Sequence, residues 1–228
     1  MAEHASTLAL GTLGIAFLLV AVGVLWKFAQ HLSTLVHESG HATMALLTGH
    51  WVKGIELKPG GSGVTESEFD KEWKAWPSRF VFLTAGYPAP SLAGLVLARG
   101  VQVGWDPLTV LGTVLVVLAV LFFAFLRNWF ALVVALFIGL VVAVFVYQAG
   151  PVAQLGAVVA LSWILLLSGL RNCLEASALD HKDRKKGVSD QAALQDLTGI
   201  HAHAWSLIFV FVAVAALIAG ARWLLTYA

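Results

Sequence analysis

Cysteine is nearly missing: with Cys173 alone among 228 residues, the chain can form neither an internal disulfide nor a cysteine-rich zinc cluster. Charge is scarce too. Asp, Glu, Lys and Arg make up 12% of the residues, about half the share of an ordinary soluble domain. The net charge is +1, with both signs gathered in two short segments, so no extended basic surface is available for nucleic acid. Internal repeats are absent, which excludes stacked-repeat architectures. What remains is apolar: 59% of the residues are hydrophobic, the composition of a protein that crosses a bilayer several times.

A hydrocarbon core about 30 Å thick takes about 20 apolar residues in helix. Seven stretches meet or approach that length: Leu8 to Trp26, Phe28 to Leu47, Phe80 to Ala98, Leu108 to Leu126, Trp129 to Tyr147, Val152 to Leu170, and Trp205 to Leu225. The expected fold is all-α and polytopic, with about seven transmembrane helices in one integral-membrane domain over residues 1–228. Leu8 to Trp26 has no basic residue before it and no cleavage site of the secretory kind, so it is expected to be a retained span. Trp26, Trp129, Tyr147, Trp205 and Trp223 fall at span ends, where amphipathic rings favour the membrane interface.

Two polar connections lie between the spans. In residues 49–79, WVKGIELKPGGSGVT alternates at Val52, Ile55, Leu57 and Val64 around Pro59, Gly60 and Gly61, which predicts a small β-hairpin. In residues 171–203, the charged run DHKDRKK precedes SDQAALQDLTG, which predicts a short helix with Ser189 or Asp190 at its N-cap and Gly199 just past its end. With the amino terminus inside, 11 of the 14 Lys and Arg residues fall on the cytoplasmic side and 3 (Lys27, Arg99, Arg222) on the other. Both polar segments are therefore expected in the cytoplasm, and the chain in the cell membrane.

The stretch HESGH, residues 37–41, puts two imidazoles and a carboxylate inside an apolar run. Gln30, Thr34, His37, Glu38 and His41 share one helical stripe, and ionisable groups at membrane depth point to function because leaving them idle costs a few kcal/mol each. Four residues apart, His37 and His41 project from one face and can bind a single Zn²⁺, with Glu38 beside them as the base for a metal-activated water. Such a centre takes a third protein ligand. Glu66, Glu68, Asp70, Glu175, Asp180, His181, Asp183, Asp190, His201 and His203 are open to it, whereas His50 lies too far along the same helix. Asp190 is preferred because its segment is compact, partly apolar and able to dock, while DHKDRKK reads as a solvated face. Pro88 and Pro90 remove backbone donors and disrupt the helix that holds them.

HESGHA, then GGSGVT, AGYPAPSLAGL and SDQAALQDLTG with a later Trp205, is a pattern that resembles the M50B-like branch of the site-2 protease family of intramembrane zinc metallopeptidases, from about Leu35 to Trp205. The resemblance implies helices surrounding one zinc ion below the membrane surface, with His37 and His41 as ligands, Glu38 as catalytic base and Asp190 as third ligand. Gln191 and His201 stand where the branch usually has Ala and Pro, and the Asn, Pro and Asp-Gly motif of other site-2 proteases is missing. The implied activity is hydrolysis of membrane-anchored protein substrates near the cytoplasmic face. The competing class is a non-catalytic metal-binding membrane protein, a transporter or an inactive protease-like scaffold. Glu38 separates the two, because metal affinity alone has little use for that carboxylate. Oligomeric state leaves no mark in the sequence.

Overall fold

The computed structural model describes residues 2–68, 76–179 and 189–226. Asp70, Asp180, His181 and Asp183 lie outside the described residues. The chain opens with helix α1 (Ala2–Ala21), and a single extended residue, Val22, leads into α2 (Gly23–Leu47). The two helices meet at a bend of 99°. The expected break near Lys27 is displaced to Val22–Gly23, where glycine weakens helix continuation; Lys, a good helix former, sits comfortably within α2. The stretch Phe80 to Ala98 is broken as well, into α3 (Trp76–Ala85) and α4 (Pro88–Gln102), bent by 64°. Pro88 begins α4 at the position where its missing N–H costs nothing.

Then follow α5 (Pro107–Val120), which runs on through one π-helical turn at Leu121–Phe125, α6 (Trp129–Gln148), α7 (Pro151–Leu179), the short α8 (Asp190–Thr198) and α9 (Ala202–Thr226). Among the described residues, four helices are long and apolar enough to cross a membrane, or up to six if each bent pair counts as one span. The seven apolar stretches thus correspond to a mostly helical, multi-pass membrane protein whose first two stretches form one bent pair. Small residues let the helices close on each other, as is usual where no water drives association. A Cβ on Gly94 would lie 2.9 Å from the Ser162 carbonyl oxygen, and the Ser162 hydroxyl donates to the Gly94 carbonyl at 2.7 Å. Trp163, Val159 and Leu166 of α7 fill the centre of this bundle.

Between α2 and α3 the predicted hairpin is present. Strand β1 (Val52–Leu57) pairs antiparallel with β2 (Gly63–Ser67), with Ile55 opposite Thr65 and Leu57 opposite Gly63. Gly61 makes the turn at φ +83°. Val52, Ile55 and Leu57 are buried against Leu35, Ala42 and Ala45 of α2. The outer edge of β1 is taken up by the chain that leaves the π-helical turn. The Arg127 amide donates to the Ile55 carbonyl at 3.1 Å, and the Asn128 side chain accepts from the Leu57 amide at 3.1 Å while donating to its carbonyl at 2.6 Å. The hairpin is therefore clamped onto α2 with its β2 edge left towards the site.

Candidate metal centre

Helix α2 carries the histidine pair, and the break between α3 and α4 orients it. Near the end of α3, which stops at Ala85, the Phe82 carbonyl lies 2.7 Å from His41 Nδ1. A carbonyl only accepts, so Nδ1 carries the proton and Nε2 presents its lone pair away from the backbone. Imidazoles that bind metals are commonly oriented by a partner of this kind. His41 is 3% exposed, with the Phe82 ring against its own at 4.6 Å, and the Tyr87 ring meets His37 edge-on at 4.8 Å.

The third member arrives from across the sequence. Ser189 caps α8, its hydroxyl accepting from the Ala192 amide at 3.2 Å, so Asp190 is the first helical residue and not the cap. Leu194 anchors α8 in an apolar cluster with Cys173, Trp205 and Phe209, and Trp76 Nε1 donates to the Leu197 carbonyl at 3.0 Å. Asp190 Oδ2 then lies 3.1 Å from His41 Nε2 and 3.3 Å from His37 Nε2, and the two nitrogens are 3.1 Å apart. Burial alone would raise the Asp190 carboxyl, but the two imidazoles, when protonated, outweigh it by charge and hydrogen bonding and hold the group below the usual carboxylate range.

Three donor atoms crowded at this spacing repel one another unless a cation sits among them. A proton can bridge one pair only. A tetrahedral ion with bonds of about 2.0–2.1 Å holds its ligands about 3.3 Å apart, close to the triangle seen, so two imidazole nitrogens and a carboxylate oxygen fit zinc in both chemistry and size. Space is reserved for it by Gly86: a Cβ there would lie 2.6 Å from His37 Nε2 and closer still to His41 Nε2.

Glu38 is 4% exposed and faces the hairpin. The Thr65 hydroxyl donates to its Oε2 at 2.7 Å, and a Cβ on Gly63 would lie 2.6 Å from its Oε1. All four groups line one cavity of about 440 Å³, together with Gln30, Asn172 and Glu175.

The other described candidates are not part of this triangle, although Glu175 lines the cavity; Glu66 is exposed on β2. Glu68 pairs with Lys53 at 2.8 Å, Glu175 pairs with Arg171 at 2.7 Å, His201 and His203 are exposed at the start of α9, and His50 lies beside Thr48 beyond the end of α2. His37, His41 and Asp190 form the one group of three or more His, Cys, Asp or Glu side chains among the described residues that could hold a metal. Thr65, Gly63 and Gly86 show in the sequence only through the glycines of GGSGVT and the single glycine of AGYP beside breaks in regular structure, and nothing in the sequence marks Phe82.

No curated protein and no solved structure matches the chain. The family model described as Peptidase M50B-like does, over residues 10–220. That span takes in α2, the hairpin, the α3–α4 break, α7 and α8, the elements that meet at the cavity, and the chain belongs to the M50B-like peptidase family.

Proposed function

We propose that the protein is a zinc-dependent intramembrane endopeptidase that hydrolyses peptide bonds of membrane-anchored proteins near the cytoplasmic face. The observation that carries this reading is the triangle of His37, His41 and Asp190 donor atoms with the buried Glu38 carboxylate on the same cavity wall. His37, His41 and Asp190 would hold the ion. When bound, zinc lowers the pKa of a coordinated water to about 7 and polarises a carbonyl oxygen. Glu38 takes the proton of the attacking water and returns it to the leaving amine, so that neither product is expelled as an unstable anion. His41, tied to the Phe82 carbonyl, keeps its Nε2 aimed at the centre throughout.

His41 stands six residues before the end of α2, about 9 Å along the helix, and His37 about 15 Å. This depth suits a substrate that is itself anchored in the bilayer. Such a substrate must unwind locally first, because a helix keeps its carbonyls in its own hydrogen bonds. The cytoplasmic side is supported by the excess of Lys and Arg in the segments that flank the site.

The test pairs metal analysis with cleavage of a single-span reporter protein in phosphatidylcholine–phosphatidylglycerol vesicles. Wild type should hold about one zinc per chain and cut the reporter. Glu38→Gln should keep the zinc and lose about 100- to 10,000-fold in rate. Undiminished cleavage by Glu38→Gln overturns the proteolytic reading in favour of a metal carrier or scaffold.

A further inference from the structure

We infer that Thr65 is a positioning residue for the general base, fixing the rotation of the Glu38 carboxylate from the hairpin. This inference rests on the proteolytic reading above and extends it to a residue outside the HESGH helix. The terminal torsion of a glutamate is soft and roughly two-fold, so burial of Glu38 does not by itself select which oxygen faces the cavity. Among the described residues, the hydrogen bond to that carboxylate comes from Thr65 Oγ1, 2.7 Å from Oε2, with the Glu38 carbonyl oxygen 3.0 Å from the same hydroxyl.

Thr65 is well made for a fixed donor. Its β-branched side chain has restricted χ1 freedom, and its strand register is set by the pairing with Ile55, which is fully buried. Two residues away on the same strand, Gly63 has no side chain, and this leaves Oε1 unobstructed where a Cβ would come within 2.6 Å. The hairpin is itself held to α2 one turn upstream of His37, where the Thr34 hydroxyl donates to the Gly61 carbonyl at 2.7 Å. Hydroxyl, strand and turn thus form one rigid path from the helix back to its own base. The consequence is that Oε2 carries the Thr65 hydrogen bond while Oε1, with no Cβ on Gly63 against it, is left to act as the base.

The experiment compares wild type, Thr65→Val and Thr65→Ser on the same vesicle-embedded reporter, with kcat and KM separated and with zinc content and melting temperature measured alongside. Valine keeps shape and strand preference but removes the donor. The expected result is a kcat about 10- to 100-fold lower for Thr65→Val, the size of a hydrogen bond to a charged group, with KM within about twofold and zinc content unchanged. Thr65→Ser, which keeps the hydroxyl, should recover to within about fivefold of wild type. Three outcomes overturn the inference: a Thr65→Val enzyme with wild-type kcat, a Thr65→Ser enzyme as slow as Thr65→Val, or a loss of zinc that accompanies the loss of rate. If Glu38→Gln is inactive while Thr65→Val is not, only the positioning role fails. A wild type unable to cut the reporter removes the proteolytic reading and this inference together.

Discussion

Gly86 offers the sharpest test of whether the two histidines converge on one ion. It is buried between α3 and α4, and an added methyl would lie 2.6 Å from His37 Nε2 and nearer still to His41 Nε2. Ordinary carbon–nitrogen contact needs about 3.5 Å, so one side must retreat by about 1 Å. The rings cannot easily give: His41 is tied to the Phe82 carbonyl and packed at a tilt against its ring, and His37 is backed by Tyr87. Metal sites tolerate about 0.5 Å of misplacement, and loss of an orienting partner alone typically costs 10- to 100-fold in affinity, about 1.4 to 2.8 kcal/mol. Gly86→Ala, which pushes on two ligands at once, should weaken zinc binding by at least about 100-fold. Competition against a fluorescent zinc chelator in detergent solution measures this directly. Gly139→Ala is the matched control, since a Cβ at that position on α6 meets nothing within 4 Å. It should bind zinc like wild type and gain up to about 1 kcal/mol of helix stability. Wild-type zinc affinity in a folded Gly86→Ala protein would refute the convergence of the two Nε2 atoms.

Two further outcomes follow from the same geometry. Leu194→Ala should loosen α8, because the side chain is fully buried against Cys173, Trp205 and Phe209, and the cavity cost is about 2–5 kcal/mol; zinc affinity should fall as for Asp190→Ala while the bundle keeps its helicity by circular dichroism, and unaltered affinity would show that Asp190 does not depend on α8 docking. Asn128→Ala removes the two hydrogen bonds to Leu57 and the cap on the Ala131 amide, a loss of about 1–3 kcal/mol, and should appear as faster amide exchange in residues 52–57 ahead of the rest of the protein.

The parts of the site that could be read in the sequence are those whose chemistry is local. His37, Glu38 and His41 declare themselves because one helical turn brings them to one face, and the hairpin shows in the period-two alternation of Val52, Ile55 and Leu57. Asp190 needed a choice among ten residues, since nothing in SDQAALQDLTG states that Leu194 docks it on α3 and α9. The span boundaries were legible only roughly. Mean hydropathy sees the apolar content on both sides of Val22 and of Gly86–Tyr87, but it does not register a change of direction, so bends of 99° and 64° inside apolar runs left no trace in it.

Those bends also explain why the remaining site residues were hidden. The prolines of AGYPAPSLAGL point to a disrupted helix, and the structure has a break there, but its use runs through a partner 41 residues away: the Phe82 carbonyl, near the end of α3, accepts a hydrogen bond from His41 Nδ1. The same break brings Gly86 against both nitrogens, and the hairpin turn brings Thr65 and Gly63 against Glu38. In each case a residue without unusual chemistry of its own matters because an interruption of regular structure sits beside a polar group that lipid would not tolerate. An apolar environment allows a helix to end within it only where something else accepts the free backbone groups. In this chain the carbonyl near the end of α3 orients His41, and the two irregularities that hydropathy smooths over frame the candidate metal centre.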